Sequence, residues 1–394
     1  MDTNDRPYAF WLVSVPWIGQ GPVPKILNAF ASPREAYEAS DEELIKRSGS
    51  KQVSELIKYR QNNDIFRKYD ELVSGGMKLS FIWDDDYPER LKNIPDPPYA
   101  LFYYGRLPEN NKLAVAMIGA RQCSPYGVKT ARLLGEELGR NDVNVISGMA
   151  FGIDGISQKA ALEAGGSSFA VLGSGADICY PDSNSDLYEM LKENGGIIST
   201  YPPGTPAVSR YFPPRNRIVS GLSDAVVVVE ARARSGTLIT VDMALDQGKD
   251  IYAVPGRLED ELSAGCNGLI GHGAKVYLSP NIFMSDLIED HLCEMESGFE
   301  CRNETLIKPA YDSPADKRHR NYEGKKDKEP DIEERLLEVY RKLTLFPQSA
   351  EDIDDQMKQS GETSPGETGI CLILMELCLE GLAVQVSPGN FVRK

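Results

Sequence analysis

The chain lacks several features that would assign it to a class at once. No run approaches the roughly 18 apolar residues that span a bilayer, and no basic leader precedes an apolar block at the N-terminus. The seven cysteines are scattered and include no CxxC pair, which disfavours a disulfide framework and a structural zinc site. We therefore expect a reduced, soluble, cytoplasmic protein with no metal site and no membrane contact.

The chain also has fewer basic than acidic residues. The sequence has 43 Lys and Arg against 59 Asp and Glu, a formal net charge of -16. Affinity for polyanions comes largely from neutralising phosphates, so an even distribution of these charges would exclude nucleic acid. Residues 205–234 reverse the balance, however, with five arginines against Asp224 and Glu230. The arginines are Arg210, Arg215, Arg217, Arg232 and Arg234. Any anion site is predicted there.

The N-terminal part, residues 1–75, has apolar residues at helical spacing and a helix start signal at Ser40-Asp41. A turn at residues 15–19 is compatible with a SAM-like or helix-hairpin-helix bundle, and equally with a plain helical cap. The following segment is rich in proline and aromatic residues, so we expect it to be extended and packed on its neighbour.

From residue 113 onward, short β-branched runs alternate with helical patterns. The predicted strands are Leu113–Ile118, Val143–Ile146, Phe169–Leu172, Ile197–Ser199, Ala225–Val229 and Ile251–Val254. Strands that alternate with helices indicate right-handed βαβ units. The fold class is therefore α/β, with an extended Rossmann-like, doubly wound parallel sheet in residues 76–300.

The last hundred residues are organised differently. Residues 301–331 are predicted to be a linker, because their polar, proline-containing core cannot bury enough apolar surface to order itself. In residues 332–394, three helical runs and a β-hairpin pattern predict a small winged-helix domain. Its third helix, 368–380, has no Lys or Arg, which favours protein contacts or self-association over duplex DNA.

Glycines follow four of the predicted strands, at Gly119, Gly148, Gly173 and Gly236. In a parallel sheet these loops all lie at the carboxyl edge, where ligands bind. Backbone N–H groups of such loops approach phosphates closely, and the helix N-termini behind them add partial positive charge. An anion site is the favoured interpretation, although tight strand-helix turns favour glycine for structural reasons too.

The absence of two known phosphate-binding motifs from these loops narrows the kind of anion that they can bind. No GxxxxGK[ST] phosphate loop occurs, and the dinucleotide fingerprint after Gly119 lacks its third glycine. The candidate anion-binding residues that remain are Arg121, Lys159 and the arginine-aromatic block 210–217. Guanidinium groups beside exposed rings suit the phosphates and unstacked bases of a single strand. One arginine of the Arg215 and Arg217 pair, expected to be Arg217, should be structural and tied to Asp224 or Glu230.

Catalysis has little support in the sequence. The three histidines have no evident partners, so no charge relay or metal cluster can be assembled. Asp154 could act on a ligand, but capping of the helix 155–164 is the favoured role. We expect no catalytic residues and no cofactor.

A set of motifs occurs in one order along the chain. It comprises Gly119-Ala120-Arg121, Ser147-Gly148-Met149-Ala150-Phe151-Gly152-Ile153-Asp154, Phe212-Pro213-Pro214-Arg215-Asn216-Arg217, Ser235-Gly236-Thr237-Leu238 and Val254-Pro255-Gly256. In these motifs the chain closely resembles the DNA-processing protein A family, DprA/Smf. Two departures lose titratable groups: Ser157-Gln158 stands where the family usually has Ala-His, and Thr200 stands where it usually has Glu.

The resemblance implies a non-enzymatic homodimer that binds and protects single-stranded DNA. Members of the family load the recombinase RecA onto incoming strands during natural transformation. Carried over by motif position, the residues expected to line the DNA pocket are Arg121, Arg210, Phe212, Arg215 and Asn216, with Gly148, Gly236 and Thr237 adding backbone or hydroxyl contacts. The alternatives are a nucleotide-hydrolysing protein of the related LOG type and a sensor that binds a small nucleotide without turnover.

Overall fold

The computed structural model describes residues 5–15, 19–49, 52–296, 333–343, 348–359, 365–380, 382–387 and 390–393. The chain divides into two units, Met1–Arg302 and Asn303–Lys394, which are treated separately below. The predicted linker at 301–331 lies outside the described residues, as do residues 16–18 of the predicted N-terminal turn.

Six short helices begin the first unit. They are α1 (Arg6–Val13), α2 (Val23–Ala29), α3 (Pro33–Glu38), α4 (Asp41–Ser48), α5 (Val53–Asn62) and α6 (Ile65–Ser74). The start signal at Ser40 is confirmed, because its side chain accepts a hydrogen bond from the Glu43 N–H. Phe10 and Trp11 of α1 belong to the same hydrophobic core as Phe102 and Ile197 of the sheet. These helices therefore share a core with the sheet that follows.

In the described part of this unit, nine strands form one sheet. They are β1 (Lys78–Phe81), β2 (Ala100–Gly105), β3 (Ala114–Ile118), β4 (Asn144–Ser147), β5 (Ser168–Val171), β6 (Gly195–Ser199), β7 (Ala225–Val228), β8 (Asp250–Ala253) and β9 (Lys275–Val276). Their order is β1-β2-β6-β5-β4-β3-β7-β8-β9. All pairs from β6 to β9 are parallel, whereas β1 and β2 are antiparallel additions at one edge. The predicted α/β fold with a mostly parallel sheet is confirmed.

Helices cover both faces of this sheet. They are α7 (Glu89–Lys92), α8 (Pro125–Arg140), α9 (Ile153–Glu163), α10 (Ser185–Asn194), α11 (Phe212–Gly221), α12 (Gly236–Asp246), α13 (Ala264–Gly271) and α14 (Pro280–Glu296). Strand β3 shows the layering, because Ala116 and Ile118 lie in one core while Val115 and Met117 lie in another. Because both faces of the sheet are buried, the central strands have apolar residues at successive positions and do not alternate apolar with polar residues. None of the helices among the described residues is long and apolar enough to cross a membrane.

The second unit has its own core. It contains α15 (Glu334–Lys342), β10 (Gln348–Ser349), α16 (Ala350–Gln359), α17 (Gly366–Leu379), β11 (Ala383–Ser387) and β12 (Asn390–Arg393). The strands form a sheet in the order β10-β12-β11. Ile370, Leu374 and Leu377 of α17 are buried, whereas Leu372 and Leu379 of the same helix are exposed. This helix therefore presents apolar side chains both to its core and to its surface.

One ion pair joins the antiparallel edge segment to the centre of the large sheet. Asp224, just before β7, accepts hydrogen bonds from Arg90 Nε at 2.7 Å and Arg90 Nη2 at 2.9 Å. The same carboxylate accepts from the Ala114 N–H at 2.8 Å, at the start of β3. The side chains of Arg90 and Asp224 are only 13% and 20% exposed, so solvent screens this pair weakly.

We predict that Asp224→Ala lowers the free energy of unfolding by about 2–4 kcal/mol, because it removes the carboxylate partner of the largely buried Arg90 guanidinium, which keeps only backbone carbonyls, and the acceptor of the Ala114 N–H. Urea denaturation followed by circular dichroism measures the change. Glu163→Ala is the control, since its exposed carboxylate lies 3.8 Å from Lys159 and should contribute little. Equal effects of the two substitutions would contradict the role given to Asp224.

Candidate nucleic-acid interface

A groove of about 950 Å³ opens at the carboxyl edge of the parallel strands. Its walls come from the loops after β3, β4 and β7 and from the first turn of α11. The predicted site residues that line it are Arg121, Gly148, Phe212, Arg215, Asn216, Gly236 and Thr237. The sheet therefore brings together segments that are more than one hundred residues apart in sequence.

Close backbone approach explains two of the glycines. A Cβ at Gly119 would lie 2.6 Å from Ile153 Cγ1, so no larger residue fits between β3 and α9. A Cβ at Gly148 would collide with the guanidinium of Arg215. These glycines allow the loops to close around the groove, and their role here is packing.

The loop after β4 is held by three side chains. Met149 has a left-handed backbone with φ of 54°, which is unfavourable for a residue with a side chain. Its N–H donates to Gln158 Oε1 and its carbonyl accepts from Asn184 Nδ2, both at 3.0 Å. The Gly148 N–H donates to Asp154 Oδ2 at 3.1 Å. Gln158 thus helps to fix a turn on the groove wall.

The expectation that Asp154 caps a helix is wrong. Helix α9 begins at Ile153 with Gly152 as its N-cap, so Asp154 is already inside the first turn. Its carboxylate accepts the Gly148 N–H instead and lines the groove. Desolvation raises the pKa of Asp154, and the positive charge of Arg215 opposes that shift. Asp154 therefore places a carboxylate within reach of the Arg215 charge.

Arg215 is the most enclosed cation of the groove, with 5% of the residue exposed. Its Nη1 donates to the Gly148 carbonyl at 2.9 Å and to the Val171 carbonyl, and its Nε donates to Asn216 Oδ1 at 3.2 Å. Burial lowers the pKa of Arg215 to about 10, which still leaves it charged at neutral pH. The guanidinium ties the ends of β4 and β5 together while adding positive charge to the groove.

The prediction that Arg217 is tied to Asp224 or Glu230 is also wrong. Arg217 Nη1 donates to the backbone carbonyls of Asp96 at 2.5 Å and Pro95 at 3.3 Å. Asp224 is occupied by Arg90, and Glu230 accepts from the N–H and hydroxyl of Ser124. Both arginines of the pair bind backbone carbonyls, and the more deeply buried of the two is Arg215.

Phe212 has two guanidinium groups close to its ring. The Cζ atoms of Arg121 and Arg215 are 5.6 Å and 5.8 Å from the centre of its ring. Arg121 is exposed, and it forms no ion pair with any carboxylate in the described part of the chain. Tyr180 approaches the same ring, with 5.8 Å between ring centres. The result is an aromatic face bordered by a cation that is open to solvent.

The N-terminus of α12 opens into the same groove. A Cβ at Gly236 would meet nothing within 4 Å, so its backbone is accessible. Helix starts leave N–H groups without intrahelical partners and attract anions. The buried Ser235 Oγ has no partner among the described residues. The Thr237 hydroxyl, in contrast, already donates to the Gly119 carbonyl at 3.2 Å.

Three details of the predicted site differ from the structure. Lys159 lies outside the groove, on the exposed side of α9 beside Glu163, because it follows Asp154 by five residues and a helix turns about 100° per residue. The guanidinium of Arg210 also lies outside, over the Tyr211 ring at 5.0 Å. Gly148 cannot offer its N–H to a ligand because Asp154 accepts it.

The groove also contains residues that the sequence analysis did not assign, among them Gln122, Phe151, Tyr180 and Arg232. Phe151 stands inside the glycine-rich motif that follows β4, so that motif could have indicated it. Tyr180 follows β5 by nine residues and had no such signal. No cluster of three or more potential metal ligands occurs within the described ranges.

Together the fold and the site define a Rossmann-like α/β protein with a cationic and aromatic groove at the carboxyl edge of its sheet. The family model for DNA recombination-mediator protein A matches residues 78–288. DNA processing protein DprA of Streptococcus pneumoniae is 42% identical over 198 residues, which cover 50% of this chain and 70% of that protein. Protein Smf of a Synechocystis species is 33% identical over 287 residues, covering 71% and 72%.

A solved structure agrees with these matches. The X-ray structure of DNA processing protein A from Streptococcus pneumoniae superposes with a TM-score of 0.60 at 32% identity, over 71% of this chain and 97% of that one. The chain belongs to the DNA recombination-mediator protein A family, DprA/Smf, as its motifs indicated.

We predict that Arg215→Met lowers the free energy of unfolding by about 3–5 kcal/mol, because two carbonyls and the Asp154 charge lose their partner. Arg217→Met removes the same group from a more exposed position and should cost about 1 kcal/mol. Urea unfolding of both variants against the unmodified protein gives the comparison. The structural role of Arg215 would be refuted by a larger loss in Arg217→Met.

Proposed function

We propose that the protein is a non-enzymatic mediator that binds single-stranded DNA in the groove, protects it and loads RecA onto it during DNA uptake and recombination. The observation that carries this proposal is the grouping of Arg121, Phe212 and Arg215 beside the open N-terminus of α12, all within one groove. Membership of a DNA-processing family supports the nucleic acid as the ligand.

The chemistry of the groove favours a single strand. Aromatic faces stack unpaired bases of any sequence, and nearby cations and helix N-termini neutralise the backbone. Phe212 supplies such a face, while Arg121 and the Gly236 N–H supply phosphate contacts. Bases in a duplex are already stacked on each other, so a ring beneath a guanidinium adds little to duplex binding.

Local charge supports binding even though the whole chain is acidic. Arg121, Arg215 and Arg232 line the groove, with Asp154 as the acidic residue among its lining. Exposed charges further away than about 8–10 Å are largely screened at physiological ionic strength. A strand in the groove therefore experiences mainly Arg121 and Arg215, because Arg232 is paired with Glu261 at 3.7 Å.

Hydrolysis of nucleotides is the less favoured function. The loop before α12 ends with Arg234-Ser235 rather than with a run of glycines, and the nearby Glu230 carboxylate is occupied by two hydrogen bonds from Ser124. A general base must be available to the proton that it removes. This arrangement supports binding without turnover.

We extend the proposal to the parts of the chain on either side of the DNA-binding part. The boundaries at residues 75, 300 and 331 separate a SAM-like N-terminal part, the DNA-binding part, a linker and a winged-helix domain. We assign residues 332–394 to protein contacts, because α17 carries exposed Leu372, Met375 and Leu379 and has no basic residue. The working form is a cytoplasmic homodimer.

We expect fluorescence anisotropy with labelled oligo-dT to report binding that weakens steeply with salt. Arg121→Ala should reduce the affinity by about tenfold and make the salt dependence shallower, because one phosphate contact is lost. Lys159→Ala removes a cation outside the groove and is the matched control, with no expected change.

Two results would argue against this proposal. If Arg121→Ala and Lys159→Ala behave alike, the groove is not where the strand binds. If mononucleotides displace oligo-dT at equal concentration, a nucleotide sensor or a LOG-type enzyme becomes the better interpretation.

For the C-terminal unit, we predict that removing residues 303–394 leaves the affinity for duplex DNA unchanged within about twofold, because α17 cannot neutralise phosphates. Parallel titrations of a duplex with the full chain and with residues 1–302 test this. A markedly weaker duplex affinity of the shortened chain would assign duplex binding to the second unit.

A further inference from the structure

Exposed aromatic side chains are concentrated at the groove. Among the described residues, the exposed aromatics are Phe66, Tyr126, Phe151 and Tyr180. Phe66 packs edge-on against Tyr8, and the Tyr126 hydroxyl donates to the Pro255 carbonyl. Phe151 and Tyr180 both line the groove, with 50% and 44% of their surfaces exposed. These two rings add aromatic surface beyond the face of Phe212.

The sheet order places the aromatic residues on one side. Phe151 follows β4, Tyr180 follows β5 and Phe212 follows β6, and these three strands are neighbours in the order β6-β5-β4. Phe151 sits directly after the turn that Gln158 and Asn184 hold at Met149. The position of its ring is therefore determined by a braced loop.

The exposed cations of the groove and its helix N–H groups come from the other side, whereas Arg215 on the aromatic side is buried. Arg121 follows β3, whereas Arg232 and the first turn of α12 follow β7, and these two strands are neighbours beyond β4. Gly236 has open space at its Cβ position, so a phosphate can approach the helix start. Arg121 lies where the two sides meet, above the Phe212 ring.

We propose that Phe151 and Tyr180 are base-stacking residues which, together with Phe212, hold the bases of the strand on the β4–β6 side. The sugar-phosphate backbone then runs along the β3–β7 side, past Arg121 and the N-terminus of α12. This inference rests on the proposed binding of single-stranded DNA and assigns the two faces of the strand to the two sides of the groove.

The separation predicts that base contacts and phosphate contacts can be lost independently. Stacking on one aromatic ring contributes about 1–3 kcal/mol per base, or roughly 5- to 150-fold in affinity. An abasic oligomer has the same charge as oligo-dT but no bases to stack. Removal of a stacking ring should therefore affect oligo-dT and spare the abasic strand.

The test compares full-length protein variants by anisotropy with oligo-dT and with an abasic oligomer of equal length, about 15 nucleotides. Phe151→Ala and Tyr180→Ala should each weaken oligo-dT binding at least fivefold and change abasic binding by less than twofold. Phe66→Ala is the matched control, because it removes an exposed ring outside the groove and should change neither affinity.

Phe151→Trp provides a second measurement that does not depend on loss of binding. It retains an aromatic face, so the affinity for oligo-dT should be preserved, and stacking should quench the added indole fluorescence with oligo-dT but not with the abasic strand. The inference is overturned if both alanine variants bind oligo-dT as tightly as the unmodified protein, or if they lose both ligands equally. If the unmodified protein itself binds neither oligomer, the proposed function fails instead.

Discussion

The groove depends on one buried guanidinium. Arg215 reaches from α11 to the carbonyls of Gly148 and Val171, and it thereby joins the ends of β4 and β5. A planar fork with five donors can satisfy several acceptors at once, which a lysine ammonium cannot do in the same geometry. Because Gly148 has no side chain, the loop after β4 can lie against this group. The same interaction supports Phe212, whose ring lies 5.8 Å from the Arg215 Cζ atom.

The chain combines an acidic composition with a cationic groove by separating charges in space. Two acidic side chains have specific partners: Asp224, at the opposite edge of the sheet from the groove, pairs with Arg90, and Glu230 accepts hydrogen bonds from Ser124. Asp154 is used to hold the Gly148 N–H. Arg121 is left exposed over an aromatic ring. A polyanion therefore meets local positive charge, while the surrounding negative charge discourages non-specific contacts elsewhere on the surface.

Much of the fold could be predicted from the sequence because the central strands are apolar runs between glycine turns. The six predicted strands are present, with bounds that differ by at most two residues. Strands β1 and β2 were missed, because a segment rich in proline and aromatics resembles an extended loop until its edge pairing is known. The positions of Gly119, Gly148 and Gly236 along the groove were also predictable. Lys159 and Arg210 were not, because the direction of a side chain depends on helix phase and on local ring contacts.

By itself, the sequence determined the fold class, the family and the loops that form the groove, since strand periodicity, glycine positions and ordered motifs are local properties. Only the tertiary structure decided which side chains face the groove. Sheet order places Phe151, Tyr180 and Phe212 on one side and Arg121 and α12 on the other. It also decided that Arg215 ties strand ends while Arg217 binds a distant turn. These outcomes depend on contacts between residues far apart in the chain, which local spacing does not encode.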